Sequence, residues 1–363
     1  MKNTLLNNFD ILLCPICGEN VRTVNGTIEC KNKHTFPIKN NIPLMFIDDN
    51  GVAKGSVTQK IKIFYEKHPF PNYDDFDSLT TLLKRAENSM FAQRLNEELP
   101  FNIKVLEIGC GTGQLSNFLS ISNRLTYGTD ISFNSLKLAD EFKEKSSLKR
   151  SSFYQMNLFK PIFKEDSFNI IISNGVLHHT ANPEKAFETI AKLLKREGFI
   201  IIGLYNRYGR FFTNFRRLLF RFTGKTFYRL DPYLKRDDIQ AEKKAIWFLD
   251  QYKNPHESTH TYREVLRWFR KYGFEYISSL PEIGTVYHPE KDFKLFTKQN
   301  VGNFFSRAFT QLVLPLKKNN EGGFFIMIGK KIKNDTLLLL APIFSYINHI
   351  LEDYPIYNVL HHI

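Results

Sequence analysis

The chain has 363 residues, of which 42% are hydrophobic and 24% are charged, and its formal net charge is +13. These proportions are those of an ordinary soluble globular protein, and the length favours two or more domains. The first ten residues lack the apolar core of a signal peptide, and the apolar run at 337–347 is too short to cross a bilayer, which excludes a membrane span, so we expect a cytoplasmic protein.

Three of the four cysteines lie within the first thirty residues, a distribution typical of a metal site. A Cys-x2-Cys turn is followed after twelve residues by a Cys-x3-His turn, and each turn presents two ligand atoms to one point. Asn25 and Gly26 between the turns predict a type I′ hairpin that returns the second pair to the first. Four protein ligands close the coordination sphere, so residues 1–57 are predicted to hold a structural Zn²⁺ ion. The predicted ligands are Cys14, Cys17, Cys30 and His34.

The segment FPIKNNIPLMF, which follows the last of these ligands, resembles the tail of small zinc ribbons. The activator subunit of tRNA methyltransferases is one such ribbon. The resemblance implies a zinc ribbon and only hints at RNA. Because residues 1–57 hold six basic and five acidic side chains, the module is not a basic clamp for nucleic acid.

The stretch VLEIGCGTG at 105–113 is an apolar run that stops at three glycines, after which a helical pattern begins at Gln114. A buried strand that turns through glycines into a helix lets a nucleotide-like ligand contact the backbone amides. A Cβ atom at these positions would hold the ligand away. The next strand, LTYGTDI, reaches Asp130 about twenty residues beyond the loop, where an acid accepts ribose hydroxyls in dinucleotide folds.

Two classes of ligand, nicotinamide dinucleotides and S-adenosylmethionine, compete for such a loop. Dinucleotide loops have the spacing Gly-x-Gly-x-x-Gly, whereas this chain has Gly-x-Gly-x-Gly with Gln114 after the third glycine. Glu107, just before the loop, would repel a pyrophosphate but suits the ammonium end of a methionine. Spacing and charge therefore favour S-adenosylmethionine.

Together with three later blocks, these motifs resemble the class I S-adenosylmethionine-dependent methyltransferases, and the methyltransferase type 11-like members in particular. The blocks are GTDIS, YQMNLFKPIFKEDSFNIIISNGVLHHTANPEKAF and KREGFIIIGLYN. A module of three cysteines and one histidine before such a domain is also similar to the 23S ribosomal RNA guanine methyltransferases. The resemblance implies an α/β fold at residues 58–333, with a Rossmann-like, doubly wound sheet of seven strands preceded by the zinc ribbon.

The alternation of strands and helices also favours a parallel sheet covered on both faces. Apolar runs predict strands at 103–109, 125–131, 152–157, 168–173, 198–205, 274–280 and 322–330. Helical spacing predicts helices at 79–99, 114–121, 134–145, 183–195 and 260–271. No helical pattern lies directly before the last strand, as the family's reversed seventh strand would explain. The segment KIFYEKHPFPNY, after a polar linker at 51–60, resembles one that many methyltransferases place over the cofactor.

The resemblance assigns cofactor contacts to residues at the carboxyl ends of the strands, where ligands bind in such sheets. The glycines would meet the methionine portion and the ribose, Glu107 the amino group, and Asp130 the ribose hydroxyls. Asn157 stands where the family often has an acid, and its side-chain oxygen would accept a hydrogen bond from the adenine amino group. Cys110 is interpreted as a small residue packed beside the cofactor rather than as a reactive thiol. The full set is Glu107, Gly109, Cys110, Gly111, Gly113, Asp130, Ile131, Asn157, Leu158, Asn174 and Gly175.

Candidate catalytic side chains follow the fourth and fifth strands. His178 or His179 would act as a general base near neutral pH, although a packing or orienting role for the pair is the favoured alternative. Tyr205 and Asn206 end the fifth strand and are candidates for contact with the substrate. The sequence NPHESTH at 254–260 is interpreted as a loop in which a serine or threonine caps the next helix, rather than as a second metal site.

An insertion at 207–259 is much longer than a connection between strands requires, and such insertions are usually functional. Residues 207–236 hold nine basic side chains and one acid, so the basicity of the chain is local. Three interpretations compete: a lid whose aromatic face closes over the substrate and whose arginines face water, a site for a polyanion, and a helix on an anionic membrane. The aromatic face comprises Tyr208, Phe211, Phe212, Phe215, Leu218, Leu219 and Phe222, with Arg210, Arg217 and Arg221 opposite.

The tail at 334–363 is apolar and aromatic and is predicted to form a helix packed on the core, with a dimer contact or a membrane-surface patch as alternatives. For the whole chain the first hypothesis is a methyltransferase that acts on a small molecule. The second is an RNA methyltransferase that uses the zinc ribbon and the basic insertion. The third is an inactive methyltransferase-like binding subunit, against which the intact glycine loop and Asp130 argue. The sequence leaves the acceptor atom and the oligomeric state open.

Overall fold

A computed structural model describes residues 9–48, 55–71, 77–223, 227–285, 293–316 and 323–332. The predicted tail at 334–363 lies outside these residues. Within them, no helix is both long enough and apolar enough to cross a bilayer.

A small antiparallel sheet forms the N-terminal part of the described chain. Asn25 and Gly26 have φ angles of 49° and 76°, and Val24 pairs with Thr27 across the turn. Positive φ at both central residues is the geometry of a type I′ turn, so the predicted hairpin is present. The strands are β1 (Val21–Val24), β2 (Thr27–Cys30), β3 (Thr35–Lys39) and β4 (Ile42–Pro43).

The larger sheet has seven strands in the order β10-β11-β9-β8-β5-β6-β7. The five strands from β9 to β7 in this order are parallel, whereas β11 runs antiparallel to both of its neighbours. The predicted reversed last strand and the predicted α/β class are therefore confirmed. The strands are β5 (Lys104–Ile108), β6 (Leu125–Asp130), β7 (Ser151–Gln155), β8 (Phe168–Asn174), β9 (Leu194–Tyr205), β10 (Phe274–Leu280) and β11 (Phe324–Lys331).

Ten α-helices lie within the described residues, and the sequence predicted no helix at two of their positions, 57–67 and 241–253. The helix predicted at 79–99 is divided at Asn88, because Ser89 accepts a hydrogen bond from the Ala92 backbone N–H and starts a second helix. A helix also precedes the reversed strand, where none was predicted. The helices are α1 (Val57–Lys67), α2 (Leu79–Glu87), α3 (Met90–Glu98), α4 (Gln114–Ile121), α5 (Phe133–Lys145), α6 (Pro183–Lys192), α7 (Phe211–Thr223), α8 (Ala241–Lys253), α9 (Tyr262–Lys271) and α10 (Phe304–Val313).

Hydrophobic side chains cover both faces of the large sheet. Successive residues of β8 alternate, so that Ile171 joins one cluster while Ile170 and Ile172 join the other. Helices α6 and α9 contribute to the first cluster, and α2 to α5 contribute to the second. A parallel sheet buried on both faces accounts for the nearly continuous apolar runs in its strands.

The small sheet is not separate from this core, because its apolar side chains belong to the first cluster. Leu12 bridges Phe163, and Leu44 bridges Gln155 at the end of β7. The backbone N–H of Met45 donates to the Gln155 carbonyl over 3.0 Å. The N-terminal module therefore covers part of the outer edge of the large sheet, which would otherwise expose unpaired backbone groups.

Candidate active site and metal centre

A cavity of about 420 Å³ lies at the carboxyl ends of β5, β6, β8 and β9. Pockets of about 300–1,000 Å³ are typical for small molecules and cofactors. Ten of the predicted cofactor residues line it: Glu107, Gly109, Cys110, Gly111, Asp130, Ile131, Asn157, Leu158, Asn174 and Gly175. Most residues of one wall of this cavity were therefore predicted from the sequence.

Two of the loop glycines are required for different reasons. Gly111 has a φ of 53°, and a Cβ atom there would collide with the backbone carbonyl of Phe70 in the segment after α1. Gly113 has a φ of 72° and begins α4, where a Cβ atom would collide with Ala139 and Phe153. Gly113 is thus a packing glycine between α4 and its neighbours, not a residue of the cavity wall as expected from the sequence.

Two carboxylates, the buried Glu107 and the partly buried Asp130, lie beside the glycine loop. The backbone N–H of Gly111 donates to one oxygen of Asp130 over 2.9 Å, and the N–H of Ser132 donates to the other over 2.8 Å. Glu107 accepts a hydrogen bond of 2.5 Å from the Ser116 hydroxyl. Burial raises the pKa of Glu107 to about 7 and that of Asp130 to about 6. Both carboxylates therefore gain from a ligand that brings positive charge or hydroxyl donors.

Asn157 lines the cavity, and two hydrogen bonds fix its side chain. Its side-chain oxygen accepts from the backbone N–H of Phe159 over 3.0 Å, and its side-chain nitrogen donates to the Ile47 carbonyl over 2.9 Å. The oxygen that was expected to meet an adenine amino group thus already orders the loop after β7. Asn157 also connects that loop to the N-terminal module.

The two histidines after β8 have different surroundings. His179 lines the cavity, and its Nδ1 lies 2.7 Å from the His256 carbonyl, which can only accept, so Nδ1 carries the proton. The Nε2 lone pair of a neutral His179 is then the basic site. Burial lowers the pKa of His179, which keeps the ring neutral.

His178 is fully buried and is not part of the cavity wall. Its ring packs against His179 and Tyr205 at centroid distances of 4.2 and 4.3 Å, and neither ring nitrogen has a hydrogen-bond partner among the described residues. Burial lowers its pKa well below the usual value. His178 is therefore a packing residue, whereas His179 is exposed to a ligand.

A buried ion pair between Arg210 and Glu257 packs against the Tyr205 ring. The Arg210 guanidinium lies 3.6 Å from the centre of the Tyr205 ring and donates to both carboxylate oxygens of Glu257, over 3.1 and 2.6 Å. Arg210 is 0% exposed, whereas Phe211 and Phe215 on the opposite face of α7 are 64% and 60% exposed. The expectation of a lid with its aromatic face inward and its arginines in water is therefore wrong: the helix is turned the other way.

The NPHESTH segment supplies this ion pair and not a metal site. Glu257 pairs with Arg210 and Arg217, and the His260 ring contacts Ser258 and Glu264 over 2.8 and 3.0 Å. Helix α9 is capped by Thr261, which accepts from the Glu264 N–H, and not by Ser258 or Thr259 as expected.

Several cavity residues were not predicted from the sequence. From α1, the hydroxyl of Tyr65 donates to Asp250 of α8 over 2.9 Å, and Gln251 of α8 donates to the Tyr205 hydroxyl over 2.8 Å. Phe324, at the start of β11, packs on the Tyr205 ring at 5.6 Å. The wall residues that the sequence did not predict include Tyr65, Phe70, Trp247, Asp250, Gln251 and Phe324. The sequence pattern KIFYEKHPFPNY was the one available signal for this part.

Helix α1 is fastened to the first turn of α5. The carboxylate of Glu66 accepts from the Ser132 hydroxyl and the Asn134 backbone N–H, each over 2.8 Å. An acid at a helix N-terminus is stabilised by the free N–H groups and by the helix dipole. This contact holds the segment after α1 against the glycine loop, and so covers the cavity.

The predicted metal ligands come together in the N-terminal module. The Sγ atoms of Cys14 and Cys30 lie 3.6 and 3.4 Å from His34 Nδ1, and those of Cys17 and Cys30 lie 3.7 Å apart. All four ligand atoms are within 4.8 Å of one another. A tetrahedral ion with bonds of about 2.0–2.3 Å separates its ligands by about 3.5–3.8 Å, so the cluster fits such an ion.

Comparison with known proteins agrees with this geometry. Residues 101–267 match a family model described as a methyltransferase domain. A ubiquinone biosynthesis O-methyltransferase of Glaesserella parasuis is 31% identical over 113 residues, which are 30% of this chain and 47% of that protein. An uncharacterized methyltransferase of Bacillus subtilis is 28% identical over 103 residues, which are 28% of this chain and 41% of that protein. The chain therefore spans less than half the length of these relatives.

Among solved structures, magnesium protoporphyrin IX methyltransferase from Synechocystis is similar over 78% of this chain and 100% of that chain, with 12% identity and a TM-score of 0.44. The family match and the sequence relatives show that the chain carries a class I S-adenosylmethionine-dependent methyltransferase domain.

Proposed function

We propose that the whole protein, which carries this methyltransferase domain, transfers the methyl group of S-adenosylmethionine to a hydroxyl oxygen of a small, uncharged or cationic molecule. The observation that carries the proposal is the composition of the cavity wall. One side has the glycine loop and two acids, and the other has aromatic rings, Asp250 and His179. No lysine or arginine is among the described residues that line it. Such a wall favours a planar, non-anionic acceptor over a phosphodiester.

In this proposal the cofactor lies along the carboxyl ends of the strands. Glu107 faces its ammonium group, Asp130 accepts its ribose hydroxyls, and Ile131 and Leu158 pack on the adenine. Asn174 and Gly175, at the end of β8, border the place where the methyl group is delivered. Burial raises the pKa of the Cys110 thiol well above its usual value, which supports packing rather than nucleophilic attack.

The bound cofactor supplies a methyl group already activated on a sulfonium centre. The protein then has to align the acceptor and exclude water, and such positioning is worth about 7–11 kcal/mol. The acceptor oxygen forms its bond to the methyl carbon as the carbon–sulfur bond breaks. His179 Nε2 takes up the hydroxyl proton, because Nδ1 is committed to the His256 carbonyl. The relative from Glaesserella parasuis, named an O-methyltransferase, supports an oxygen acceptor.

We propose further that Zn²⁺ is held by Cys14, Cys17, Cys30 and His34 and that its role is structural. Four protein ligands leave no open position for a substrate or water. The ion would help to fold a module, residues 1–57, whose apolar side chains mostly join the core of the large sheet instead of forming a separate core. Residues 58–333 would form the methyltransferase domain, with 207–259 as the insertion that contributes α7 and α8 to it and 334–363 as a tail.

The test is to incubate the protein with methyl-labelled S-adenosylmethionine and separate small-molecule, RNA and protein fractions of a cell extract. We expect label in the small-molecule fraction, and none with a His179→Ala variant that still binds the cofactor. Label in RNA would contradict a small acceptor and support the RNA hypothesis. Binding of the cofactor with no label in any fraction would contradict catalysis and support an inactive binding subunit.

A further inference from the structure

Helix α10 presents an apolar face to solvent. Phe304 and Phe305 are 62% and 77% exposed, and Phe309 and Leu312 are 47% and 61% exposed. The opposite face is buried, where Gln311 accepts hydrogen bonds from the Asn206 side chain and the Tyr262 backbone over 3.0 and 3.2 Å. Soluble proteins rarely leave several large apolar side chains exposed side by side, so this face is a candidate contact surface.

A row of arginines on α9 lies next to that face. Arg263, Arg267 and Arg270 are exposed and recur at helical spacing. Partial burial lowers the pKa of the Arg307 guanidinium on α10. The positive charges of Arg270 and Arg263 on α9 are close enough to lower it further. Among the described residues, no carboxylate forms an ion pair with the three α9 arginines. Like charges held together without an internal partner favour an external anion.

Helix α7 carries a second exposed apolar face. Asn206 connects the two helices: its carbonyl accepts from the Arg210 N–H at the start of α7 over 2.9 Å, and its side chain donates to Gln311 near the end of α10. Helix α7 therefore begins close to the end of α10, and it carries its own exposed apolar residues. They are Phe211, Phe212, Phe215, Leu218 and Phe222.

We propose that the exposed faces of α7 and α10, with the arginines of α9, form a surface that docks on an anionic lipid bilayer. Helices that lie in a membrane interface combine Phe and Leu on one side with Arg or Lys at its border, and they bind through buried apolar area together with attraction to anionic headgroups. Both parts are present here, on elements joined at one residue. This surface is separate from the proposed catalytic cavity, although Asn206 directly follows Tyr205 of the cavity wall.

Other occupants fit the surface less well. RNA interfaces are polar, and leucines such as Leu218 and Leu312 offer no stacking to a base. A second copy of the chain related by two-fold symmetry would bring the same arginine-rich surface against itself. The tail at 334–363 follows β11, which starts beside Tyr205 and runs away from it to pair with Phe274 at its far end. The strand β11 therefore ends at the other end of the sheet from Asn206.

The test is co-sedimentation of the full chain with vesicles of phosphatidylcholine alone or mixed with equal phosphatidylglycerol. We expect binding to the anionic vesicles that weakens with salt, because charge attraction is screened. Each arginine near an anionic surface contributes about a fivefold change in affinity, so Arg263→Gln, Arg267→Gln and Arg270→Gln together should weaken binding on the order of 100-fold. The variant Phe304→Ser/Phe305→Ser should weaken it by at least about 10-fold through lost apolar burial.

Matched controls test whether vesicle binding comes from this surface or from nonspecific apolar and charge attraction elsewhere on the protein. Phe101→Ser removes a ring that is 67% exposed elsewhere, and Lys137→Gln, Lys149→Gln and Arg196→Gln remove three exposed charges elsewhere. Both controls should keep vesicle binding. The proposal is wrong if the full chain does not bind anionic vesicles, or if the controls weaken binding as much as the α9 and α10 variants. The proposal is also overturned if Phe305→Ser leaves vesicle binding intact but dissociates a dimer or abolishes RNA binding. The same holds if Phe305→Ser changes vesicle binding only after residues 334–363 are removed.

Discussion

The side-chain amide of Asn157 donates a hydrogen bond of 2.9 Å to the main-chain carbonyl of Ile47. One residue follows the strand β7 at the cofactor cavity, and the other follows the small sheet that carries the cysteine cluster. Together with the backbone bond from Met45 to Gln155, this contact makes the N-terminal module part of the support of the cavity. Loss of the metal ion should therefore change the affinity for the cofactor.

Removal of zinc is expected to weaken cofactor binding as well as stability. Without the ion the small sheet loses its closure, and the hydrogen bond to Asn157 is lost with it, which corresponds to about 1 kcal/mol or roughly fivefold in affinity. Isothermal titration of S-adenosylmethionine into the Cys30→Ala variant measures the effect, with Arg22→Gln on the same sheet as the control. Unchanged affinity in Cys30→Ala would show that the module is independent of the cavity.

Cofactor affinity is expected to fall as the pH is lowered. Burial raises the pKa of Glu107 to about 7, so a pH below that protonates the carboxyl and removes the charge that faces the ammonium group. Between about pH 7.5 and about pH 5.5 the affinity should drop on the order of 10-fold. Glu107→Gln should bind more weakly at pH 7.5 and show a flatter pH profile. A profile as steep as that of the unaltered protein would assign the titration to another group.

The same carboxyl has an effect of opposite sign on the stability of the ligand-free protein. A carboxyl whose pKa is raised by folding holds its proton more tightly in the folded chain, so stability is lost as the pH rises through about 7. The ammonium group of the cofactor would compensate the buried negative charge of Glu107. The increase in melting temperature caused by S-adenosylmethionine should therefore be larger at about pH 8 than at about pH 6. In Glu107→Gln this pH dependence should become smaller, and the part that remains would come from Asp130, whose pKa is raised by burial to about 6.

His179→Ala is expected to lower kcat by about 10²–10⁴-fold, the usual contribution of a positioned base, with little change in cofactor affinity. Since burial lowers the pKa of His179, the acid limb of the activity profile should lie below the ordinary histidine value of about 6.5. His179→Gln retains the hydrogen bonding but not the basicity, and should be as slow as the alanine variant. Full activity of His179→Gln would reduce this residue to an orienting role.

Loss of the Arg210–Glu257 pair is expected to destabilise the protein strongly. Both side chains are almost completely buried. Removing Arg210 leaves the buried Glu257 carboxylate with only the partly exposed Arg217 as its ion-pair partner, and breaking a buried pair costs up to about 3–5 kcal/mol. Denaturant unfolding of Arg210→Met should show this loss, and the added substitution Glu257→Leu should restore part of it. Arg221→Met, on the exposed part of the same helix, serves as the control and should change the free energy of unfolding little.

Local patterns explain why much of the cavity was predicted from sequence. The glycine loop, Asp130 and the end of β8 belong to strand-to-helix turns whose chemistry is contained within a few residues. Asp250 and Gln251 belong to no such pattern, because they reach the cavity only through the packing of α8. Periodicity correctly grouped the aromatic face of α7 but could not say whether it was inward, and it placed the exposed Arg221 on the same side as the buried Arg210. That choice depends on Glu257, which pairs with Arg210 from 47 positions further along the chain.

The hydrogen bonds between Glu66 and the start of α5 have a kinetic consequence. The segment after α1 lies against Gly111 and lines the cavity with Phe70 and Pro71, so we expect it to withdraw when a cofactor enters. We expect Tyr65, which donates to Asp250 across the cavity, to complete the wall when the segment returns. The methyl donor must then be the first substrate to bind and its demethylated product the last to leave. We expect an ordered sequential mechanism, in which that product competes with the donor alone and its departure limits the steady-state rate.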